Sequence, residues 1–269
     1  VLDTGVNVNY VGFNTPFLYD AMGSQYSMNT EYANQISGWD YVNGDDDTDD
    51  DYAKIHGTKV SYIIHEKLIA DGVPHQILPI KVANNKGKIS AFSLICGMKN
   101  AVGLADIINL SLGYYSNGED AKSTIIEDLI IKNRHILFVA SAGNKDIDND
   151  GNDLKHYPSD YPQENVLAVA AANVDGRRKA SFSNYGRESI DFYAIGEDVE
   201  FIEYDSSSET TITTGISGTS YAAPYVTAVA AKLFFETPNP IKIIHILDEI
   251  IGVPIKEDGE KVKYGKIIF

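Results

Sequence analysis

Short, wholly apolar runs separated by amphipathic stretches constrain this chain more than any other feature. Ile77 to Val82, Asp106 to Leu110, Ile136 to Ala140 and Val166 to Ala171 are rich in branched residues and read as strands buried on both faces. Between them the apolar residues recur at helical spacing. Val60, Ile63, Ile64 and Leu68 form one face, Phe92, Ile95, Met98 and Val102 a second, and Ile125, Ile126, Leu129 and Ile130 a third. Strand and helix in alternation imply an α/β fold of three layers, with a mostly parallel central sheet and helices on both faces. In such sheets the working residues lie on loops at the carboxyl ends of strands. The last third changes character. Residues 197–214 read as strands and turns, followed by a helix from about Ser220 to Phe235 and another over Ile241 to Ile251. Ala222, Ala223, Val226, Val229, Ala230 and Leu233 are the candidates for the buried side of the first of these helices, and Pro224 is placed in its first turn, where a missing N–H is tolerated.

No Pro/Ser-rich linker interrupts the 269 residues, so 1–269 is expected to form a single domain. The net charge of −16 argues against nucleic-acid binding, which needs a basic face. No apolar run reaches the length of a membrane span, and no signal peptide opens the chain. The lone cysteine, Cys96, excludes an intramolecular disulfide and, at its helical position, is expected to pack in the core. The chain opens at Val1-Leu2-Asp3, inside what reads as a strand, so an upstream segment is expected.

Four motifs offer what serine attack on an amide requires: a hydroxyl, a base for it, a group that holds the base in one tautomer, and donors for the oxyanion. Asp3 stands in Asp3-Thr4-Gly5, where Gly5 permits the turn that leaves the carboxylate facing inward. His56 opens a helix in His56-Gly57-Thr58. Ser220 lies among small residues in Gly218-Thr219-Ser220-Tyr221-Ala222-Ala223-Pro224, at the start of a helix whose positive end faces a reacting carbonyl. Asn144 closes Ala142-Gly143-Asn144 after a buried strand, where its side-chain amide and the Ser220 N–H can both donate to an oxyanion. The stretch around Ser220 also has a superficial likeness to the nucleophile elbow of α/β-hydrolases, but the last glycine is absent and the chain order Asp, His, Ser differs from theirs.

Taken in order, Asp-Thr-Gly, His-Gly-Thr, Ala-Gly-Asn and Gly-Thr-Ser-x-Ala-x-Pro resemble the subtilisin-like serine peptidases, the subtilases. Asn109 to Gly113, Tyr157-Pro158, Val166 to Ala171, Ala180 to Gly186 and Tyr264-Gly265 extend the likeness over nearly the whole chain. The resemblance implies an endopeptidase in which Asp3, His56 and Ser220 form the triad, Asn144 donates to the oxyanion, and the amino-terminal strand and any pro-segment are missing. It implies a peptide or protein substrate, or the enzyme's own pro-segment, bound extended between Gly87-Lys88-Ile89 and Ser111-Leu112-Gly113, with Ala142, Gly143 and His156 completing the binding site. Family habit further implies a monomer, secretion, and no cofactor for the chemistry.

Departures from the family pattern lie around the triad: Lys59 where a second His is usual, Ser61-Tyr62 for Ala-Gly, Tyr221 for Met and Tyr225 for His. His156 falls at the base of the first specificity pocket. Pointing inward, it narrows that pocket and favours small, polar or acidic residues over large aromatic ones; pointing to solvent, it does neither. Asp146, Asp148 and Asp150 have the D-x-D-x-D-G spacing of a calcium loop without its closing acid, which leaves a structural calcium ion and a plain acidic loop both open. Two other readings share the triad: a catalytically idle domain and an acyl transferase or cyclase. A neutral His56 is needed as base, so activity is expected to fall below about pH 6 to 7.

Overall fold

The computed structural model describes residues 1–10, 38–117, 123–151, 153–205 and 210–269. They divide into two units, Val1–Ala105 and Asp106–Phe269.

In the first unit, three two-residue strands run parallel: β1 (Leu2–Asp3), β2 (Trp39–Asp40) and β3 (Ile80–Lys81), in the order β1-β3-β2. Helix α1 covers His56–Ala70 and α2 covers Ala91–Ala101. The first strand is short because Gly5, at φ 110°, turns the chain away at once; a side chain there would strike the carbonyls of Thr48 and Asp49. Helix α1 buries Val60, Ile63, Ile64 and Leu68, the face its spacing predicts. Helix α2 is rotated from the expected face. Met98 is buried as expected, but Phe92 is 73% exposed, and Leu94, Ala101 and the glycine at 97 are buried beside Met98. The reason is a close approach: a Cβ on Gly97 would stand 2.6 Å from Val82 and 3.0 Å from Ile80, so the bare face of the helix is the one that meets the strand. Cys96, next to that glycine, is half-buried.

The second unit carries β4 (Ile107–Leu110), β5 (Tyr114–Asn117), α3 (Thr124–Lys132), β6 (Leu137–Ser141), β7 (Leu154–Tyr157), β8 (Val166–Ala172), β9 (Phe192–Ile195), β10 (Val199–Asp205), β11 (Thr210–Ile216), α4 (Thr219–Glu236), α5 (Pro240–Ile246), β12 (Val253–Pro254) and β13 (Lys266–Ile268). Six strands form one sheet in the order β12-β13-β9-β8-β6-β4, parallel except for β12. Strand β8 explains the continuous apolar run. Its alternate residues Leu167, Val169 and Ala171 join a core with Ala222, Ala223, Val226 and Ala230 of α4. The intervening Ala168, Ala170 and Ala172 join a second core with Ile190, Tyr193 and Val262. Both faces are thus covered, and neither side of the pleat can be polar. Strands β10 and β11 pair antiparallel in the Ser/Thr/Glu-rich stretch, of which residues 206–209 lie outside the described residues. The helix expected over Ile241 to Ile251 is α5 followed by a wide π-type turn over Leu247–Ile251.

One local expectation is corrected. Pro224 is the sixth residue of α4, not part of its first turn. It therefore removes the hydrogen bond that the Ser220 carbonyl would otherwise accept. That carbonyl accepts instead from Ser111 Oγ at 2.7 Å.

Candidate functional site

Two clusters hold the residues that the sequence singles out. In the first unit, His56 is the first residue of α1 and its Nδ1 lies 2.7 Å from Asp3 Oδ1. Asp3 is 4% exposed, and the same oxygen accepts the Thr4 N–H at 2.8 Å. The bond fixes the tautomer: Nδ1–H donates to the carboxylate, which leaves Nε2 as the basic nitrogen. Gly57 lets the helix start come this close, since a Cβ there would lie 2.2 Å from the Gly5 carbonyl oxygen and 3.0 Å from Asp3 Cβ.

The start of α1 has no cap of its own. Ile55 precedes it in the left-handed region at φ 41°, a conformation unusual for a β-branched residue. The orphan amides are satisfied from a distance. Gly57 N–H donates to Thr4 Oγ1 at 2.8 Å, and Thr58 N–H and Oγ1 both donate to Asp50 Oδ2, at 3.0 and 2.8 Å. Asp50 is 5% exposed, and burial pushes its carboxyl pKa up. Burial is also the largest influence on His56 and works against the charged ring. Asp3, with Asp50 behind it, more than offsets it, so the His56 pKa lies above the ordinary histidine value.

Also in this unit, Gly87, Lys88 and Ile89 form one arm of a reverse turn. Gly87 sits at its tip at φ 68°, Asn84 N–H donates to the Lys88 carbonyl, and Ile89 bridges Ala83 antiparallel. Gly87 and Lys88 are exposed.

In the second unit, Ser220 lies in the first turn of α4 and is 9% exposed. Gly218 precedes it at φ 158°, and a Cβ there would stand 3.0 Å from Ser220 Oγ. Asn144 follows the end of β6. Its Oδ1 accepts from Thr219 N at 2.9 Å and from Thr219 Oγ1 at 3.1 Å. With its oxygen held by two donors, the amide has its nitrogen turned away from Thr219. The Thr219 hydroxyl also accepts the Gly143 N–H at 3.1 Å, so one fully buried side chain ties the loop to the start of α4. On the other side, Ser111, Asn109 and Thr227 link β4 to α4. Asn109 Nδ2 donates to Ser111 Oγ, which donates to the Ser220 carbonyl, and Thr227 Oγ1 donates to Asn109 Oδ1. Asn144, Ser111 and Ser220 are thus joined through two neighbouring strand ends.

Leu112 is buried and Gly113 is exposed. His156 is 4% exposed, so it does not face solvent. Its ring lies against Gly113 and near Gly143. Ser159 Oγ donates to the His156 carbonyl at 2.7 Å and so accepts from His156 Nδ1 at 2.9 Å. Burial, with help from Lys145, lowers the ring's pKa to about 4. The ring is neutral near pH 7 and offers no positive charge to an acidic substrate side chain.

The acidic loop is differently employed. Asp146 Oδ1 pairs with Lys179 Nζ at 2.6 Å, Asp148 Oδ1 accepts the Asp150 N–H, and Asp150 accepts the N–H groups of Glu188 and Ser189. Among the described residues, no group of three or more His, Cys, Asp or Glu is arranged to hold a metal ion.

Several supporting residues were not picked out by the sequence reading. Asp50, Thr4, Thr219, Tyr115 and Asn184 have no role of their own in the sequence pattern. Asn184 is wholly buried; its Oδ1 accepts the Lys145 N–H at 2.8 Å and its Nδ2 donates to the Ala142 carbonyl at 3.0 Å. All but Asp50, whose partner Thr58 is eight positions away, act through partners far along the chain, and only the motifs around Thr4, Thr219 and Asn184 carry a signal.

The family model described as the subtilase family matches residues 1–244. The chain is 32% identical to a thermophilic serine proteinase of Bacillus sp. (strain AK1) over 245 residues, which are 86% of this chain and 55% of that protein. It is 33% identical to an extracellular serine proteinase of Thermus sp. (strain Rt41A) over 210 residues, 70% of this chain and 47% of that one. The chain thus spans about half the length of these curated relatives. Among solved structures it is similar to a cold-adapted subtilisin-like serine proteinase, with a TM-score of 0.73 at 23% identity over 100% of this chain and 86% of the other. It is also similar to the patellamide maturation protease PatA, with a TM-score of 0.60 at 29% identity over 80% of each chain. No helix among the described residues is long and apolar enough to cross a membrane. With a family match from Val1 into α5 and a subtilisin-like parallel sheet, the chain belongs to the subtilase family of serine peptidases.

Proposed function

We propose that residues 1–269 act as one secreted serine endopeptidase domain. His56 Nε2 takes the proton of Ser220 as Ser220 Oγ attacks a peptide carbonyl. Asn144 Nδ2 and the Ser220 N–H receive the oxyanion. The imidazolium, stabilised by Asp3, returns the proton to the leaving amine, and water then resolves the acyl-enzyme by the same route. No cofactor enters these steps. An extended peptide running along Ser111–Gly113 on one side and Gly87–Ile89 on the other is the substrate this reading requires.

The observation that carries it is the His56–Asp3 bond at 2.7 Å, because it gives an otherwise ordinary histidine a fixed tautomer and a raised pKa. Secretion is supported by the likeness to the extracellular serine proteinase of Thermus sp. (strain Rt41A). The test is a fluorophosphonate label. Wild type is expected to be labelled at Ser220 and to cleave casein, while Ser220→Ala and His56→Ala do neither. Labelling of the Ser220→Ala protein at wild-type rate would remove Ser220 from the role.

A further inference from the structure

The trough beside the nucleophile is already occupied. Strands β4 and β6 are neighbours in the sheet, and the segments that leave them, Ser111–Gly113 and Ala142–Asn144, are both tied to the start of α4. A substrate carbonyl held at Ser220 and Asn144 therefore places the preceding side chain between these two segments. The glycines at 113 and 143 form the facing walls. A Cβ on Gly113 would lie 2.3 Å from His156 Cε1 and 2.7 Å from the Tyr157 carbonyl oxygen. A Cβ on Gly143 would lie 2.5 Å from the Tyr115 hydroxyl, 2.6 Å from Asn184 Nδ2 and 3.0 Å from His156 Cδ2. The imidazole and the phenol, with the Asn184 amide behind Gly143, fill the space that the two glycines leave.

Neither ring is loosely placed. Tyr115 and His156 are direct cross-strand partners in the β5–β7 ladder, with ring centroids 4.7 Å apart. The Tyr115 hydroxyl accepts the Asn144 N–H at 2.9 Å and an Asn184 amide N–H at 3.3 Å. The His156 ring is held by Ser159. The Lys145 ammonium lies 3.8 Å from the centroid of the Tyr115 ring.

We propose that Tyr115 and His156 together plug the pocket for the residue on the amino side of the scissile bond, so that this peptidase cleaves after glycine, alanine or serine and rejects larger side chains. The proposal rests on the serine-peptidase reading above and names its substrate class. Tyr115 also ties the plug to the oxyanion donor, because the same hydroxyl positions the Asn144 backbone.

The test compares inactivation rates by two peptidyl diphenyl phosphonates that differ only in carrying Ala or Phe next to phosphorus. A small fluorophosphonate reports the nucleophile separately. Wild type is expected to react at least about tenfold faster with the Ala probe, the scale on which pockets discriminate by size. His156→Gly is expected to lower that preference at least about tenfold, and Tyr115→Ala, which opens the plug from the other side, serves if His156→Gly does not fold. A wild type that reacts with the Phe probe as fast as with the Ala probe overturns the plug, as does a preference unchanged in both folded variants. Failure of the fluorophosphonate to label wild type overturns the serine-peptidase reading instead.

Discussion

Replacing His156 by Gln should change how stability depends on pH between about 4 and 6.5. In the folded chain the buried ring has its pKa lowered to about 4, while an unfolded chain leaves it near the ordinary value of about 6.5. As pH falls, the unfolded state takes up the proton first. The stability that His156 contributes is therefore complete above about pH 6.5 and is lost as pH falls to about 4. The gap corresponds to about 3 kcal/mol. Its neighbour Asp160, which accepts the His156 backbone N–H, works in the opposite sense. Burial raises the Asp160 carboxyl to about 6, so its contribution is present at low pH and is lost as pH rises through 6. The two terms are of similar size and oppose each other across one window. In His156→Gln only the Asp160 slope remains. Urea unfolding at pH 4, 5, 6 and 7, in a Ser220→Ala background to prevent autolysis, would measure it. Between pH 7 and pH 4 the variant should gain about 3 kcal/mol relative to its parent. Parallel profiles would show that His156 titrates like an exposed histidine and that the ring is not held in the plug.

The raised pKa of His56 places the acid limb of kcat/KM above pH 6.5, because the base is lost as pH falls through that pKa. Asp3→Asn should move the limb down and reduce kcat by about 10⁴-fold, a magnitude carried over from removal of the corresponding aspartate in a subtilisin; an unmoved limb would dissociate Asp3 from His56. Lys81 is buried with Asp40, donates to the Asp49 carbonyl and meets Asp51 at 2.9 Å. Lys81→Met should destabilise the first unit by about 3–5 kcal/mol, read by chemical denaturation, since it strands a buried charge; a loss under 1 kcal/mol would mean that Asp40 is satisfied without it. Chelation should leave the thermal midpoint in place, because Asp146 and Asp150 are committed to Lys179 and to backbone amides; a fall of several degrees would establish a structural calcium ion on the loop.

Much of this protein could be read from periodicity and local motifs. The strands at 107, 137 and 166, the helix that begins at Thr219 and the helix that begins at His56 each express a pattern within about fifteen residues. Such patterns survive because one local period fixes which side chains share a face. The α2 face departs from its pattern at Phe92, while Met98 keeps to it, because a glycine, not a large side chain, decides how the helix approaches its strand. The supporting residues were not legible for a different reason. Ser111 reaches Ser220 across 109 positions, and Thr219 reaches Gly143 across 76. No window along the chain contains both partners of the longer pairs.

The fold class, the family and the four groups proposed for the chemistry were all legible along the chain, because strand ends and helix starts carry their own local signatures. Only the tertiary structure decided how those groups are supported. It found the carbonyl that Pro224 leaves free and gave it the Ser111 hydroxyl, and it turned the Asn144 amide by occupying its oxygen. It also carried the His156 ring inward, against Tyr115 and two glycines, where a neutral buried imidazole occupies space instead of offering charge. Residue type sets what a side chain can do; the partners that long-range folding brings to it set which of those things it does.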